Sequence, residues 1–256
     1  MTTEVKWPVY SLKLESRAEV AERTLEFHFA KPSGMTFKSG QFMDLTLIDP
    51  PETDAEGNTR GFSINNAPDD PELMFTTRLR DTAFKRVLRS MPLGTELKVE
   101  GPFGNLTLHN NASRPAVLLA GGIGITPFRS MVRRAAHESL PHRIFLFYAN
   151  RRPEDAPFLD EMRGLERTNP RFTFVPTMTR MAGSHLPWKG DTGYLNRDTL
   201  SRYLRDDAGG ASPGNVLAGP IYYIAGPPRM VAGLRTMLNN AGIDDDDVRT
   251  EEFTGY

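Results

Sequence analysis

Apolar and polar residues alternate through the first part of the chain. In "RTLEFHF" Leu25, Phe27 and Phe29 alternate with Glu26 and His28, and in "MDLTL" Met43, Leu45 and Leu47 alternate with Asp44 and Thr46. A period of two predicts half-buried strands, with Glu26 and His28 on a polar face. The turn-forming segments "KPSG", "KSG", "DPPETDAEGN" and "NNAPDDP" separate these runs. Short strands with frequent turns predict an antiparallel barrel or sandwich. One segment departs from the pattern: "DTAFKRVLRSMPLG" puts Phe84, Val87, Leu88 and Met91 on one helical face and closes on Gly94, as a single helix capping a barrel does. "LGTELKVEGPFGNLTL" reads as two strands, around Leu97/Val99 and Leu106/Leu108, with a bend at Gly101, Pro102 and Gly104.

From about Arg114 the texture changes. Continuous apolar runs, "AVLLA", "RIFLFYA", "FTFVPTM" and "IYYIA", alternate with helical stretches. Parallel strands buried on both faces read in this way, so the second half predicts an α/β doubly wound parallel sheet. The polar, proline-bearing "NNASRPA" separates the two textures and sets domains at residues 1–111 and 112–256.

Composition narrows the function classes. The 256 residues carry 31 Lys and Arg against 32 Asp and Glu, a formal net charge of -1. No global field recruits nucleic acid or an anionic membrane, so a charged partner must be met by a local patch. With no cysteine in these residues, disulfides, thiolate zinc sites, a thiol nucleophile and a cysteine-held iron–sulfur cluster are excluded within them. "MTTEVKWPVY" lacks the pattern of a secretory signal, and no apolar run approaches the ~20 residues that span a bilayer. The expectation is a soluble, cytoplasmic, monomeric protein with no nucleic-acid partner and no membrane insertion. His28, His109, His137, His142 and His185 show no paired ligand spacing, and "DDDD" at 244–247 reads as a solvated loop; no metal site is expected.

Three stretches carry candidate chemistry. In "LLAGGIGITPF" a strand runs into Gly121, Gly122 and Gly124, which permit positive φ or close backbone approach. Thr126 before Pro127 reads as an N-cap with proline at the first helical position, and Phe128, Met131, Val132 and Ala135 follow at helical spacing. Such a helix presents unpaired N–H groups and its positive dipole end at the strand's C-terminal edge, which suits an anion. Pro127 stands where G-x-G-x-x-G has its third glycine, so the stretch is either a different phosphate cradle or a plain tight turn. In "TRGFSINNAP" Arg60 offers a fork of donors for phosphate, Phe62 a face for a planar ring and Ser63 a small donor and acceptor; an ordinary edge strand reads the same way. "YYIAGPPRMVAGLRTMLNNAG" repeats the strand–turn–helix logic of the first stretch. Two such turns at the strand ends of one sheet make a cleft.

Taken in order, "RGFS", "GPFG", "GGIGITPF", "AGPPRM" and the terminal "EEFTGY" resemble the ferredoxin–NADP reductase-like family of flavoproteins over roughly residues 10–256. The resemblance implies an antiparallel Greek-key barrel of six strands that holds FAD, then a doubly wound domain that holds NADP(H) or NAD(H). By that resemblance Arg60 and Gly61 serve the flavin phosphate, Phe62 lies against the isoalloxazine, and Ser63 hydrogen-bonds near its N5. The motif usually has tyrosine at Phe62, and the missing hydroxyl contact costs about 0.5–1.5 kcal/mol. Backbone N–H groups of Thr82, Ala83 and Phe84 would meet the pyrophosphate, which gives the solitary helix a purpose. Gly122, Gly124 and Thr126, with Gly226 and Pro227, would sit against the nicotinamide nucleotide. Ala225 replaces a cysteine often found beside the hydride-transfer site, Glu251 matches an acidic residue of that site, and Phe253 and Tyr256 would shield the flavin face. Arg151 and the pair Thr179-Arg180 resemble a site for the 2′-phosphate of NADP.

The implied reaction takes hydride from nicotinamide to flavin N5, with Ser63, Ala225 and Glu251 at the reacting centre, and sends electrons to a separate acceptor. That acceptor is a ferredoxin, a flavodoxin, an oxygenase component or a small molecule such as free flavin. A flavin-free nicotinamide dehydrogenase and a non-catalytic flavoprotein sensor or electron-transfer subunit are the competing classes.

Overall fold

The computed structural model describes residues 6–207 and 215–254. Its first sheet contains β1 (Val9–Ala21), β2 (Thr24–Ala30), β3 (Phe42–Leu47), β4 (Thr59–Ser63), β5 (Glu72–Arg78) and β6 (Glu96–Phe103). All pairings are antiparallel, in the order β4-β3-β6-β1-β2-β5. Just past β4, Asn65 N–H donates to the Met74 carbonyl in β5 at 3.0 Å and draws the two edge strands together, which curls the sheet into a barrel. Phe27, Phe29, Met43, Leu45 and Leu47 line its core, each at most 1% exposed, so the period-two pattern identified the inner face. The helix α1 (Ala83–Ser90) buries Phe84, Val87 and Leu88 against that core, and the Thr82 hydroxyl caps it by accepting from Lys85 N–H.

Two sequence expectations fail in this half. Glu26, on the supposed polar face of β2, is buried, because the second domain covers that face. Leu106 and Leu108 form no strand, and residues 104–115 carry no regular element. Leu106 is buried instead as part of the second domain's core, and its carbonyl passes so close to Gly40 that a Cβ there would lie 2.0 Å from the oxygen. Farther along, His109 N–H donates to the Tyr223 hydroxyl rather than to a strand partner.

The second sheet is parallel: β7 (Ala116–Gly121), β8 (Ile144–Asn150), β9 (Phe172–Met178), β10 (Asp191–Thr192), β11 (Ile221–Gly226) and β12 (Val248–Glu252). Alternate residues of each strand face opposite helix layers. On one side α2 (Ile125–His137) and α3 (Leu159–Thr168) pack Phe128, Met131 and Met162 against Leu118, Leu146 and Tyr223. On the other, α4 (Arg197–Asp207) and α5 (Pro228–Asn240) pack Leu200, Leu204, Leu234 and Leu238 against Leu119, Phe147 and Ile224. The strand order β10-β9-β8-β7-β11-β12 runs outward both ways from β7. The topological switch, where ligands bind in open α/β sheets, therefore lies between β7 and β11. No helix among the described residues is long and apolar enough to cross a membrane.

Candidate active site

The glycine turn stands at that switch. Gly122–Gly124 form one 3-10 turn that runs directly into α2. The helix starts two residues earlier than the sequence implied, with Gly124 as its N-cap, and the Thr126 hydroxyl donates back to the Ile123 carbonyl at 3.0 Å. Thr126 is therefore not the cap; the 3-10 turn has already set the helical path. Glycine is required here mainly for closeness: a Cβ on Gly124 would lie 2.2 Å from the Ala225 carbonyl oxygen, and one on Gly121 2.4 Å from Met230 Sδ. The turn after β7 and the Gly226-Pro227 turn after β11 thus touch backbone to backbone.

The barrel contributes β4. Phe62 is a core side chain, stacked on Phe84 with ring centroids 5.9 Å apart and edge-on to Phe75. Ser63 is buried, and its hydroxyl has no hydrogen-bond partner among the described residues. A buried hydroxyl left in this state can be satisfied by a bound ligand or by water. Arg60 sits over the Phe84 ring at 5.3 Å and is held by Glu56 at 2.8 Å and by Asp54 at 3.6 Å. Asp54 also accepts from Ala83 N–H at 2.9 Å, and Thr82 N–H donates to the Arg80 carbonyl. The loop before β4 thus places carboxylates on the groups expected to receive phosphate. Lys85 joins the cluster, pushed down to about 8 by burial and then by Arg80 and Arg60.

At the other strand ends, Thr179 N–H donates to the Asn150 carbonyl and Arg180 N–H to the Arg151 carbonyl, both at 2.8 Å, so Arg151 and Arg180 stand side by side. Both side chains are exposed. Arg152 is committed elsewhere, to Asp155 and Glu22. The Asn150 amide is buried without a partner among the described residues, a feature no sequence signal marked.

The C-terminal segment is a strand. Glu251 pairs in register with the fully buried Ala225, and burial alone pushes its carboxyl up to about 7. Phe253 follows, its N–H donating to the Gly226 carbonyl at 2.9 Å. Tyr256 lies outside the described residues. Asp69, Asp70 and His137 bring ligand atoms within 4.8 Å of one another, but Asp70 is already held by Arg133 and Ala67 N–H.

Sequence reasoning missed what joins the two walls. Arg129, on the second turn of α2, donates from Nη1 to Glu26 Oε2 at 2.7 Å and from Nε to Glu161 Oε2 at 2.8 Å. The adjacent Ser130 hydroxyl donates to the Asn66 carbonyl at 2.6 Å. Burial acts to raise the Glu26 carboxyl, but hydrogen bonding from His28 and the Arg129 charge outweigh it and hold the group below its ordinary value. The available cues were "INN" directly after Ser63 and "FRS" at 128–130, shortly past the glycine turn.

A donor-rich barrel strand fastened across from the switch point of a doubly wound sheet defines a two-domain protein with a cleft between barrel and sheet. Residues 118–236 match the oxidoreductase NAD-binding domain family. Over 234 residues the chain is 29% identical to ferredoxin–NADP reductase B of Sorangium cellulosum, covering 90% of this chain and 91% of that one. It is 28% identical to the glycine betaine monooxygenase reductase subunit of Chromohalobacter salexigens, covering 90% of this chain but 60% of that one. In fold it matches a ferredoxin NADP+ reductase from Neisseria gonorrhoeae solved with bound FAD and NADP, with a TM-score of 0.76, 21% identity and coverage of 97% and 99%. In sequence and in fold the chain is similar to oxidoreductases of the ferredoxin–NADP reductase-like kind.

Proposed function

We propose that this chain takes reducing equivalents from NAD(P)H by way of FAD held on the barrel and passes electrons to a separate protein acceptor. The observation that carries this reading is the unpartnered, buried Ser63 hydroxyl on a strand that Asn66 and Ser130 fasten to the helix of the glycine turn. The residues fit a flavin dinucleotide: Arg60, Lys85 and the Ala83 N–H for its phosphates, Ser63 for a polar edge of its ring, with Phe62 bracing the strand from the core. Gly122, Gly124 and Thr126, with Gly226 and Pro227, suit the nicotinamide nucleotide. When bound, the flavin supplies two-electron acceptance and one-electron release. The chain's own groups orient and shield: Glu251 can hold a proton near neutrality, and Phe253 covers the end of β11. The FAD-binding unit spans residues 1–111 and the nucleotide-binding unit 112–256.

The acceptor class follows the relatives. A ferredoxin, or a flavodoxin in its place, is the reading favoured by the Sorangium reductase, and an oxygenase component is favoured by the monooxygenase subunit. NADP is the preferred nucleotide, because Arg151 and Arg180 are exposed and their backbones are hydrogen-bonded to each other at the strand ends. Titration of apoprotein with FAD tests the flavin: saturable quenching of FAD fluorescence is expected, and its absence overturns the reading. For the nucleotide, Arg180→Ala is expected to weaken NADPH about 10-fold or more while sparing NADH; equal losses remove the assignment.

A further inference from the structure

We infer that Arg129 is a positioning residue that sets how the nicotinamide-side turn stands relative to the flavin-side strand; the inference rests on the two-cofactor reading above. Arg129 lies three residues beyond Thr126, is 5% exposed, and stacks its guanidinium on Phe158 at 4.1 Å. Its partner Glu26 is equally enclosed. Besides Arg129, Glu26 Oε2 accepts from Asn65 Nδ2 at 3.1 Å and from the Thr76 hydroxyl at 3.2 Å, while Oε1 lies 3.2 Å from His28 Nε2. Asn65 and Asn66 immediately follow the Ser63-Ile64 end of the flavin strand. Consecutive residues of α2, Arg129 and Ser130, are thus fixed to consecutive residues past β4, the first through Glu26 and the second directly. Each contact is directional and dry, so it defines one register where apolar packing alone would allow sliding.

Removing this tie leaves the domains joined, because Arg133, one turn farther along α2, still pairs with Asp70 at 3.0 Å and a second set of contacts lies elsewhere on the barrel. Glu22 N–H donates to the Glu154 carbonyl at 2.8 Å, Arg78 Nη2 to the Asp155 carbonyl at 2.5 Å, and Arg152 pairs with Glu22 at 2.5 Å. Without Arg129 those contacts become a pivot, and the first turn of α2 shifts against β4. A misplacement of ~1 Å far from the chemistry can slow a reaction about 100-fold.

The test compares wild type, Arg129→Gln, Arg129→Lys and Ser130→Ala, each as full chain with folding checked by circular dichroism. For Arg129→Gln we expect unchanged FAD affinity, little change in KM for NADPH, and a fall in the rate of flavin reduction of about 100-fold. The long-wavelength absorbance that arises when nicotinamide stacks on flavin should be lost with it. Arg129→Lys, which keeps the charge on Glu26, should recover part of both. In the cofactor-free protein, amide hydrogen exchange should rise together at residues 63–66 and 123–126. If Arg129→Gln fails to fold, Ser130→Ala carries the test, with the same signatures in weaker form. Folded variants that keep the wild-type reduction rate, absorbance and exchange overturn the positioning role alone. A wild type that binds no FAD overturns the two-cofactor reading, and the positioning role with it.

Discussion

Glu251 lies opposite Ala225 on β12, and burial raises its carboxyl from 4.5 to about 7. Between those values the folded protein holds a proton that the unfolded chain has released, so unfolding free energy falls as pH climbs through that window and levels off above it. Glu251→Gln is expected to flatten this slope in denaturation midpoints measured from acid to neutral pH; an unaltered slope would show that the carboxyl is not enclosed as described. His28 acts in the adjoining window. Its hydrogen bond to Glu26, opposed by burial and helped by Glu72, raises it from 6.5 to about 9. The stabilisation is complete below 6.5 and is lost as pH rises through 9. His28→Gln should remove that alkaline loss, and a variant that keeps it would discount the pairing. Neither enclosure was legible in the sequence. Alternation along "RTLEFHF" tells which face of β2 is polar, but a polar face reads alike whether water or a second domain covers it.

The loop before β4 and the turn after β7 set the chemistry of each wall. Asp54 and Glu56 hold Arg60 and the Ala83 N–H, so an incoming phosphate must displace carboxylates. Asp54→Asn with Glu56→Gln is therefore expected to tighten FAD binding roughly two- to fivefold, the range open to partly exposed ion pairs; a weaker affinity would mean the loop assists binding instead. At the other wall, Gly124→Ala drives a methyl into the Ala225 carbonyl. The expected cost is about 1–3 kcal/mol of stability with loss of nucleotide binding, read by thermal denaturation and calorimetry. Elements with strong periodicity were legible: the core strands, α1 and the four longer parallel strands stand where "MDLTL", "DTAFKRVLRS" and the apolar runs put them. Thr126 was misassigned because Thr-Pro signals a helix start but not a 3-10 turn already leading into it. Leu106 and Leu108 were misassigned because two alternating leucines also suit a loop that buries one of them in a neighbouring domain.

Across the whole molecule, the barrel and the α/β sheet form one site because charged and polar contacts cross between them, among them Arg133 and His137 of α2 with Asp70 and Asp69. Glu26, Asn65 and Asn66 meet Arg129 and Ser130 near the glycine turn, while Glu22 and Arg78 meet residues 152–155. The sequence carried the two walls as separate motifs, and their facing was implied only by the resemblance. The contacts themselves depend on residues 103 positions apart, such as Glu26 and Arg129, which no local pattern couples. On the proposed reading these walls bring a nicotinamide nucleotide and a flavin together for reaction. Anaerobic mixing of the FAD-loaded chain with NADPH tests it most directly. Rapid loss of the flavin's visible absorbance is expected, and a flavin that stays oxidised with both NADPH and NADH would overturn the proposed function.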